Sequence, residues 1–351
     1  MEQRLTPGDT RTCLSQQELA GIMPTEELQA WVSQTIGWEA LQEAVQIIER
    51  RVIKRRPDDW RGSRCFERVA VRGPDGTVLP LFLKYFYREV DVEPPELRTS
   101  PDREAQVYGE VLRDSPLGTA RFYGFRSLDS KDSVALLLEF VGGTKLSRLS
   151  VKQSWLAVAR WLAHMHHHFS RSQDHLNALG LLLRYDADFY WSWAYRAVEL
   201  GMRVSREAGA IVKEMLGPYE RVAGPLGSAP PTFIHGEFYC SNILVQEERE
   251  KIRICPYDWE TAGIGCGALD LTYLLRQSWG MDEHCLIQAY LDGWREKGDF
   301  PSWLSDIHSH IRRCRIHELM YSLGVALNQP DVAAAKVTKY IERAKEYMKE
   351  L

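Results

Sequence analysis

The stretch FIHGEFYCSNILV, residues 233–245, decides how this sequence is interpreted. It places His235, Glu237 and Asn242 between two apolar runs, and Asp258 follows sixteen residues after Asn242, beyond a second apolar run. Phosphoryl transfer to a hydroxyl needs these groups in this order, because one carboxylate handles the proton while amide and carboxylate oxygens hold Mg²⁺. The spacing therefore predicts a phosphotransferase site.

The roles follow from the chemistry of each side chain. Glu237 is predicted to orient or deprotonate the acceptor hydroxyl, and Asn242 and Asp258 to ligate Mg²⁺. The catalytic loop of protein kinases uses the same spacing between its carboxylate and its asparagine. His235 is predicted to be a structural hydrogen-bonding residue rather than an acid–base catalyst.

A nucleotide site also needs a cation for the phosphates. Lys84 lies inside the apolar run LPLFLKYF, where an unused charge would be unfavourable. We expect it to contact the phosphates while paired with Glu104, which follows on a predicted helix. Upstream, Gly62 and Ser63 in the turn-forming stretch DDWRGSR are expected to cover the phosphates, although the GxGxxG pattern is missing.

The residue pattern in the first part of the chain is typical of β-strands. Residues 24–37 carry helix start and stop signals, and GPDGT forms a strong turn at 73–77. An antiparallel sheet is predicted, with one helix inserted after its third strand. The predicted strands are 45–55, 65–73, 78–86, 120–128 and 133–141, and the inserted helix is 100–112.

After Gly142-Gly143 the texture becomes helical, as shown by the 3.6-residue apolar stripe from Trp155 to Phe169. Further helices are predicted at 189–201, 204–216, 268–279, 282–297, 304–325 and 331–350. The predicted class is α+β. Three regions are expected: an N-terminal arm and helix, a nucleotide-binding lobe and a helical lobe for catalysis and acceptor binding, over 1–43, 44–142 and 143–351.

Taken together, these motifs resemble the aminoglycoside phosphotransferase family over roughly residues 45–325. The most specific stretches are HGEFYCSNILV and CPYDWETAGIGCGALDLTYLL, and the supporting ones are LAHMH, FLKYF, REAQVYGEVL and LLLEFVGG. The resemblance implies a bilobal protein-kinase-like fold, ATP or GTP as donor, and Mg²⁺. It also implies a structural role for Asp270, as a helix cap or a brace for the catalytic loop. Backbone hydrogen bonds to the nucleotide base are expected from Glu139, Phe140 and Val141.

The sequence departs from the family at one position, because Glu237 stands where the family has aspartate. The extra methylene moves the carboxylate by about 1.5 Å. Two hypotheses follow. The protein is a kinase for a hydroxyl of a small molecule, or it is a nucleotide-binding pseudokinase with a regulatory or interaction role.

Several other groups have more than one interpretation. Glu260 is either an auxiliary metal carboxylate or half of a salt bridge, and the aromatic stretch 188–200 forms core packing or an acceptor wall. The HMHHH stretch and the set His310, Cys314 and His317 are not expected to bind metal. Carboxylates that could meet a cationic acceptor are interspersed with Arg and Trp, which is not typical of an aminoglycoside site; they are Asp186, Asp188, Asp282, Glu283 and Glu318.

Composition excludes other classes. The chain has 351 residues, a net charge of −4 and a pI near 6.2, so we expect no nucleic-acid partner. The seven dispersed cysteines contain no CxxC, the N-terminus has no signal-peptide core, and no apolar run is long enough for a membrane span. A cytoplasmic protein is expected, while the sequence leaves the acceptor and the oligomeric state open.

Overall fold

The computed structural model describes residues 23–37, 45–56, 64–87, 101–128, 133–248, 251–278, 280–298, 300–326 and 334–351. The chain divides into two compact units. The first comprises described residues within 1–90 and 121–140, and the second those within 91–120 and 141–351. The predicted division into an arm and two lobes stays a prediction.

The first unit is an antiparallel sheet with a helix against it. Its elements are α1 (Thr25–Ile36), β1 (Gln46–Arg56), β2 (Arg64–Arg72), β3 (Val78–Tyr87), β4 (Phe122–Ser127) and β5 (Ser133–Glu139). The strands are hydrogen-bonded in the order β1-β2-β3-β5-β4, and every neighbouring pair is antiparallel. The predicted sheet is therefore confirmed.

The core of this unit follows from the two-residue period of its strands. Alternate residues such as Val69 and Val71 on β2, and Leu81 and Leu83 on β3, pack with the apolar face of α1. Glu67 is also buried there and is compensated by hydrogen bonds. Arg50 donates to both of its oxygens at 2.6 and 3.0 Å, and the Tyr85 hydroxyl donates at 3.0 Å.

The second unit is mainly helical. Its helices are α2 (Pro101–Gln106), α3 (Lys152–Ser170), α4 (Gln173–Ala178), α5 (Ala187–Val204), α6 (Arg206–Gly227), α7 (Ala268–Arg276), α8 (Glu283–Glu296), α9 (Ile307–Ala326) and α10 (Ala334–Lys349). A π-helical turn, Val107–Val111, continues α2, so the predicted helix at 100–112 is confirmed from Pro101 onward. Among the described helices, none is long and apolar enough to cross a membrane.

One predicted boundary is wrong. The helix expected at 204–216 continues to Gly227, through Pro218 and Pro225. Proline weakens a helix interior, but the buried face of α6 continues beyond Pro218 at Tyr219 and Val222, and beyond Pro225 at Leu226. Burial of that face outweighs the local preference of the prolines to end the helix.

Short strands interrupt the helices and carry the candidate site. They are β6 (Thr144–Lys145), β7 (Leu183–Arg184), β8 (Thr232–Ile234), β9 (Ile243–Glu248), β10 (Lys251–Pro256) and β11 (Gly263–Gly265). They form two small sheets, in the orders β10-β9-β6 and β7-β11-β8. The cysteines within the described part of the chain form no disulfide bond with one another, and Cys13 lies outside that part.

Candidate active site

The loop after β8 carries Glu237 and depends on a glycine. Gly236 has a φ of +81°, which non-glycine residues rarely adopt. A Cβ at this position would also overlap the Tyr185 hydroxyl and the carbonyl oxygen of Thr261. The sequence His-Gly-Glu therefore turns sharply here because its middle residue has no side chain.

Asp270 braces this loop from α7. Its carboxylate accepts hydrogen bonds from the backbone N–H of His235 at 2.7 Å and of Gly236 at 2.9 Å. The His166 Nε2 lies 3.3 Å from Asp270 Oδ2. Because Asp270 is fully buried, these partners compensate a charge that would otherwise be very unfavourable. Of the two structural roles expected for Asp270, the hydrogen bonds favour the loop brace.

His235 uses both ring nitrogens within the protein. Its Nε2 lies 3.0 Å from the carbonyl oxygen of Tyr257, and its Nδ1 accepts from the backbone N–H of Glu237 at 3.3 Å. This pattern places the ring proton on Nε2. Complete burial lowers the pKa of His235, so the ring is neutral near pH 7. These contacts agree with the structural role expected from the sequence.

Glu237 is buried, and both its main-chain carbonyl and its side-chain carboxylate accept hydrogen bonds. Its carbonyl oxygen accepts from the Tyr239 N–H at 2.7 Å and from the Asn242 Nδ2 at 3.1 Å. Its Oε1 accepts from the Tyr321 hydroxyl at 3.2 Å. Sequence reasoning missed Tyr321, which lies 84 positions further along the chain.

The β9–β10 hairpin places Asn242 and Asp258 at its open end. Ile243 pairs with Pro256 there, so Asn242 and Tyr257 lie just outside that pair, and Asp258 follows Tyr257. The Tyr257 N–H donates to the carbonyl oxygen of Asn242 at 3.0 Å. The spacing of sixteen residues between Asn242 and Asp258 is therefore the length of one hairpin.

Asp258 has a left-handed backbone, with φ 72° and ψ 55°, and no other described non-glycine residue has a positive φ. Aspartate tolerates this conformation better than most residues, at a cost of about 1 kcal/mol or more. The turn ends β10 abruptly and starts the short 3₁₀ segment Trp259–Thr261. The chain thus gives up some stability to hold this carboxylate at the end of the hairpin.

Three carboxylates meet at this turn. One oxygen each from Glu104, Asp258 and Glu260 lies within 4.8 Å of the others, and Glu104 and Glu260 are buried. Among the described residues, no other set of His, Cys, Asp and Glu side chains meets this condition. An all-oxygen donor set of this kind suits a hard divalent ion such as Mg²⁺.

Arg103 fastens α2 to this turn. It is buried and donates to the carbonyl oxygen of Glu260 and, at 2.6 Å, to that of Leu181. The nearby Tyr108 hydroxyl is also buried, and burial, followed by the charges of Glu104 and Asp258, raises its pKa. Tyr108 is therefore neutral near pH 7. Arg103 gave no signal in the sequence, because its partners are backbone carbonyls far along the chain.

The predicted nucleotide residues lie in different parts of the structure. In the first unit, Lys84 is buried on the central strand β3, with its Nζ 4.7 Å from the ring centroid of Phe86. Glu104 belongs to the second unit, and its pairing with Lys84 stays a prediction. Gly62 and Ser63 lie outside the described residues.

Two of the three residues expected to contact the base have backbone donors that are already used. The Glu139 N–H donates to the Arg121 carbonyl at 2.8 Å, and the Phe140 N–H to the Pro80 carbonyl at 3.1 Å. Val141 accepts from the N–H of Gly143 at 3.0 Å. A base contact through Glu139 or Phe140 would therefore use their carbonyl groups.

Most of the candidate acceptor carboxylates have structural partners. Asp186 caps α5 at the Phe189 N–H, 3.0 Å away, and Asp282 caps α8 at the His284 N–H, 2.9 Å away. Two others form ion pairs, which are Glu283 with Arg315 at 2.5 Å and Glu318 with Arg276. Asp188 stands in the first turn of α5. Four of the five candidate carboxylates therefore have a structural partner within the described residues.

The two histidine groups form no metal cluster within the described residues. His164 Nε2 lies 3.0 Å from Glu296 Oε2. His317 Nδ1 lies 3.1 Å from the Tyr219 hydroxyl, and burial lowers the pKa of His317 to about 3. Its ring is thus a neutral member of the core.

Solved structures of similar fold cover nearly all of the chain. Spectinomycin phosphotransferase in complex with ADP and spectinomycin matches with a TM-score of 0.54 at 15% identity, over 86% of this chain and 93% of that one. A microcompartment-associated aminopropanol kinase gives 0.50 at 15%, over 90% and 95%. The GDP complex of a mutant aminoglycoside 2′-phosphotransferase gives 0.54 at 13%, over 87% and 91%. At this identity they show the fold alone, and the predicted kinase-like class is confirmed.

The sequence profile of the phosphotransferase enzyme family matches residues 37–304. No relative was found among proteins of curated function. The profile match agrees with the resemblance drawn from the motifs, and nothing in it favours the pseudokinase alternative. The match covers most of the chain and includes the loop, the hairpin and the carboxylate cluster described above, so this chain belongs to the phosphotransferase enzyme family.

Proposed function

We propose that the protein transfers the γ-phosphoryl group of ATP or GTP to a hydroxyl group of a small molecule. The observation that carries the proposal is the open end of the β9–β10 hairpin. There Asn242 directly precedes β9 and Asp258 follows two residues after β10, and the Asn242 amide donates to the carbonyl oxygen of Glu237. One rigid element thus supports the proposed metal ligands and the proposed base.

Glu237 is the proposed base or proton acceptor. The hydroxyl proton passes to a carboxylate oxygen of Glu237 as the acceptor oxygen forms a bond to the γ-phosphorus. The bond from that phosphorus to the bridging oxygen breaks, and the nucleoside diphosphate leaves with the electron pair. Catalysis of this kind depends mainly on position, so the contacts that hold Glu237 are part of the machinery.

Asn242 and Asp258 are the proposed Mg²⁺ ligands. The Asn242 Nδ2 donates to the Glu237 carbonyl oxygen, so the side-chain oxygen of Asn242, which accepts from the Ser241 hydroxyl at 3.5 Å, is the atom that would ligate the metal. The cluster of Glu104, Asp258 and Glu260 supports a divalent cation here, and it favours the auxiliary metal carboxylate among the two interpretations of Glu260. When bound, Mg²⁺ would neutralise charge on the nucleotide phosphates.

Nucleotide binding is assigned to the residues expected from the sequence. Lys84 would contact the phosphates with Glu104 as its partner, Gly62 and Ser63 would cover them, and Glu139 to Val141 would meet the base. The burial of Lys84 on a central strand supports this assignment, since a charged ammonium group is unfavourable there unless it is compensated. Neither ATP nor GTP is favoured by these residues.

The proposed acceptor is a hydroxyl compound without dense positive charge. Four of the five candidate carboxylates are engaged in helix caps or ion pairs. The ring of Tyr321, whose hydroxyl contacts Glu237, packs on Trp193 with centroids 4.4 Å apart. An aromatic neighbour to the base suits a partly apolar acceptor better than a polycation.

The test is coupled detection of ADP and GDP release against a library of hydroxyl compounds with Mg²⁺. The library should contain aminoglycosides, amino alcohols and uncharged alcohols. We expect turnover with a member of the less charged classes, and loss of at least about 100-fold in Glu237→Ala. An enzyme that binds no Mg·nucleotide and turns over no acceptor would contradict the proposal. Binding without any turnover would favour the pseudokinase alternative.

A further inference from the structure

We infer that Tyr321 is a positioning residue, which fixes the Glu237 carboxylate for proton transfer. This inference rests on the proposed function, because it gives Tyr321 a task in the same reaction. The observation is the hydrogen bond from the Tyr321 hydroxyl to Glu237 Oε1, at 3.2 Å. It links the catalytic loop to α9.

The contact matters because position 237 carries glutamate. Glutamate has one more rotatable bond than aspartate, so its carboxylate reaches about 1.5 Å further and has more positions to sample. Hydrogen bonds from the Tyr239 N–H and the Asn242 Nδ2 hold the main-chain carbonyl of Glu237. The Tyr321 hydroxyl acts at the other end, on the carboxylate itself.

Tyr321 is itself held rigidly. Its ring packs against Trp193 of α5, with centroids 4.4 Å apart and planes at 60°. Gly324 makes room for this indole, because a Cβ at residue 324 would lie 2.6 Å from Trp193 Cε3. His317, one turn before Tyr321 on α9, is tied to the Tyr219 hydroxyl of α6 at 3.1 Å.

Three helices therefore determine where the Tyr321 hydroxyl lies. A group held by packed helices is positioned more accurately than one held by a loop. Glu237 and Tyr321 therefore act as a pair, and loss of either partner should remove the same contribution to function. In Glu237→Asp the carboxylate lies beyond hydrogen-bond distance from Tyr321, so the Tyr321 hydroxyl no longer contributes to its positioning.

The experiment is a double-mutant cycle with Tyr321→Phe, Glu237→Asp and the double variant. The acceptor is the best compound of the library, or water with Mg·ATP if hydrolysis is the turnover observed. We expect Tyr321→Phe to lower kcat about 10- to 100-fold, with KM for nucleotide and acceptor changed less than about twofold. In the Glu237→Asp background the same substitution should change kcat less than about twofold.

Tyr347→Phe is the matched control, because Tyr347 is also half-buried and lies on α10, where its hydroxyl contacts Arg343. It should leave kcat unchanged. An equal loss from Tyr321→Phe in both backgrounds would overturn the inference, since the residue would then act without Glu237. So would an unchanged kcat in the Glu237 background, or a loss that appears only in KM.

A second measurement separates this inference from the proposed function. Without any ligand, Tyr321→Phe should lower the Tm by roughly 2 °C when residue 237 is glutamate and by less when it is aspartate. Equal Tm changes in both backgrounds overturn the contact itself. Absence of turnover in the wild type would refute the proposed function, and with it the catalytic task of Tyr321, while coupled Tm changes would still establish the contact.

Discussion

The loop after β8 that carries His235, Gly236 and Glu237, called the catalytic loop below, is hydrogen-bonded to Asp270. These hydrogen bonds provide the most direct test of the site. Asp270→Asn keeps the shape of the side chain but turns one of its two acceptor oxygens into an NH₂ group. One of the N–H groups of His235 and Gly236, now bonded at 2.7 and 2.9 Å, then faces another donor. We expect the free energy of unfolding to fall and the catalytic loop to shift.

The magnitude follows from the lost partners. A hydrogen bond to a charged acceptor contributes about 1.5–3 kcal/mol, and an unsatisfied buried N–H costs about 1–3 kcal/mol. Asp270→Asn should therefore destabilise the protein by about 3–5 kcal/mol. A shift of the loop near 1 Å would also lower kcat by about 100-fold.

Urea unfolding followed by tryptophan fluorescence, together with kcat for the best acceptor, measures both effects. Asp114→Asn is the control, because Asp114 is exposed and a lost surface charge should change stability by less than about 0.5 kcal/mol. A loss below about 1 kcal/mol in Asp270→Asn, with kcat unchanged, would refute the view that this carboxylate holds the loop.

Three further predictions concern the glycine turn, the carboxylate cluster and a buried histidine. Gly236→Ala should abolish turnover and lower the Tm, because a Cβ would overlap Tyr185 and Thr261; thermal scans and kcat measure this. Asp258→Asn should remove the rise in Tm that we expect Mg·ATP to give the wild type, because one carboxylate of the proposed metal cluster is gone. A normal Mg·ATP response in that variant would count against the metal assignment. Burial lowers the pKa of His317 to about 3. This residue therefore makes its full contribution to the free energy of unfolding above the unfolded pKa of 6.5, and a progressively smaller one as the pH falls toward 3. At pH 5 the free energy of unfolding is lower by about 2 kcal/mol for this reason. His317→Gln should reduce the slope of unfolding free energy between pH 6 and 4 by up to about one proton, as urea titrations at several pH values can determine.

Much of the fold was predictable because its signals are local. The helix at α1 shows Glu26 and Glu27 in its first turn and a left-handed Gly37 at its end, so its bounds were found within one residue. The strands of the sheet were also predictable, from the alternation of apolar and polar residues along them. The end of α6 was missed, since long-range burial overrides the local effect of Pro218 and Pro225.

The candidate site was only partly predictable. The placement of Asn242 and Asp258 at the two ends of one hairpin was predictable because their spacing is a local feature, while their role as metal ligands stays a prediction. Glu104 was expected only as a partner for Lys84, and its position beside Asp258 and Glu260 depends on how Arg103 docks α2. Tyr321 lies far from Glu237 in sequence and forms no motif with it, so tertiary packing alone makes the pair.

The left-handed turn at Asp258 has a consequence for which substitutions the chain can accept. The backbone at φ 72° and ψ 55° tolerates glycine, asparagine and aspartate, and disfavours every other side chain. Of these three, only aspartate brings a negative charge. The backbone conformation thus permits three residues at this position, and only aspartate among them suits the proposed metal binding. Variants chosen for stability alone would drift toward glycine or asparagine here, and they would lose the carboxylate that we propose as a metal ligand.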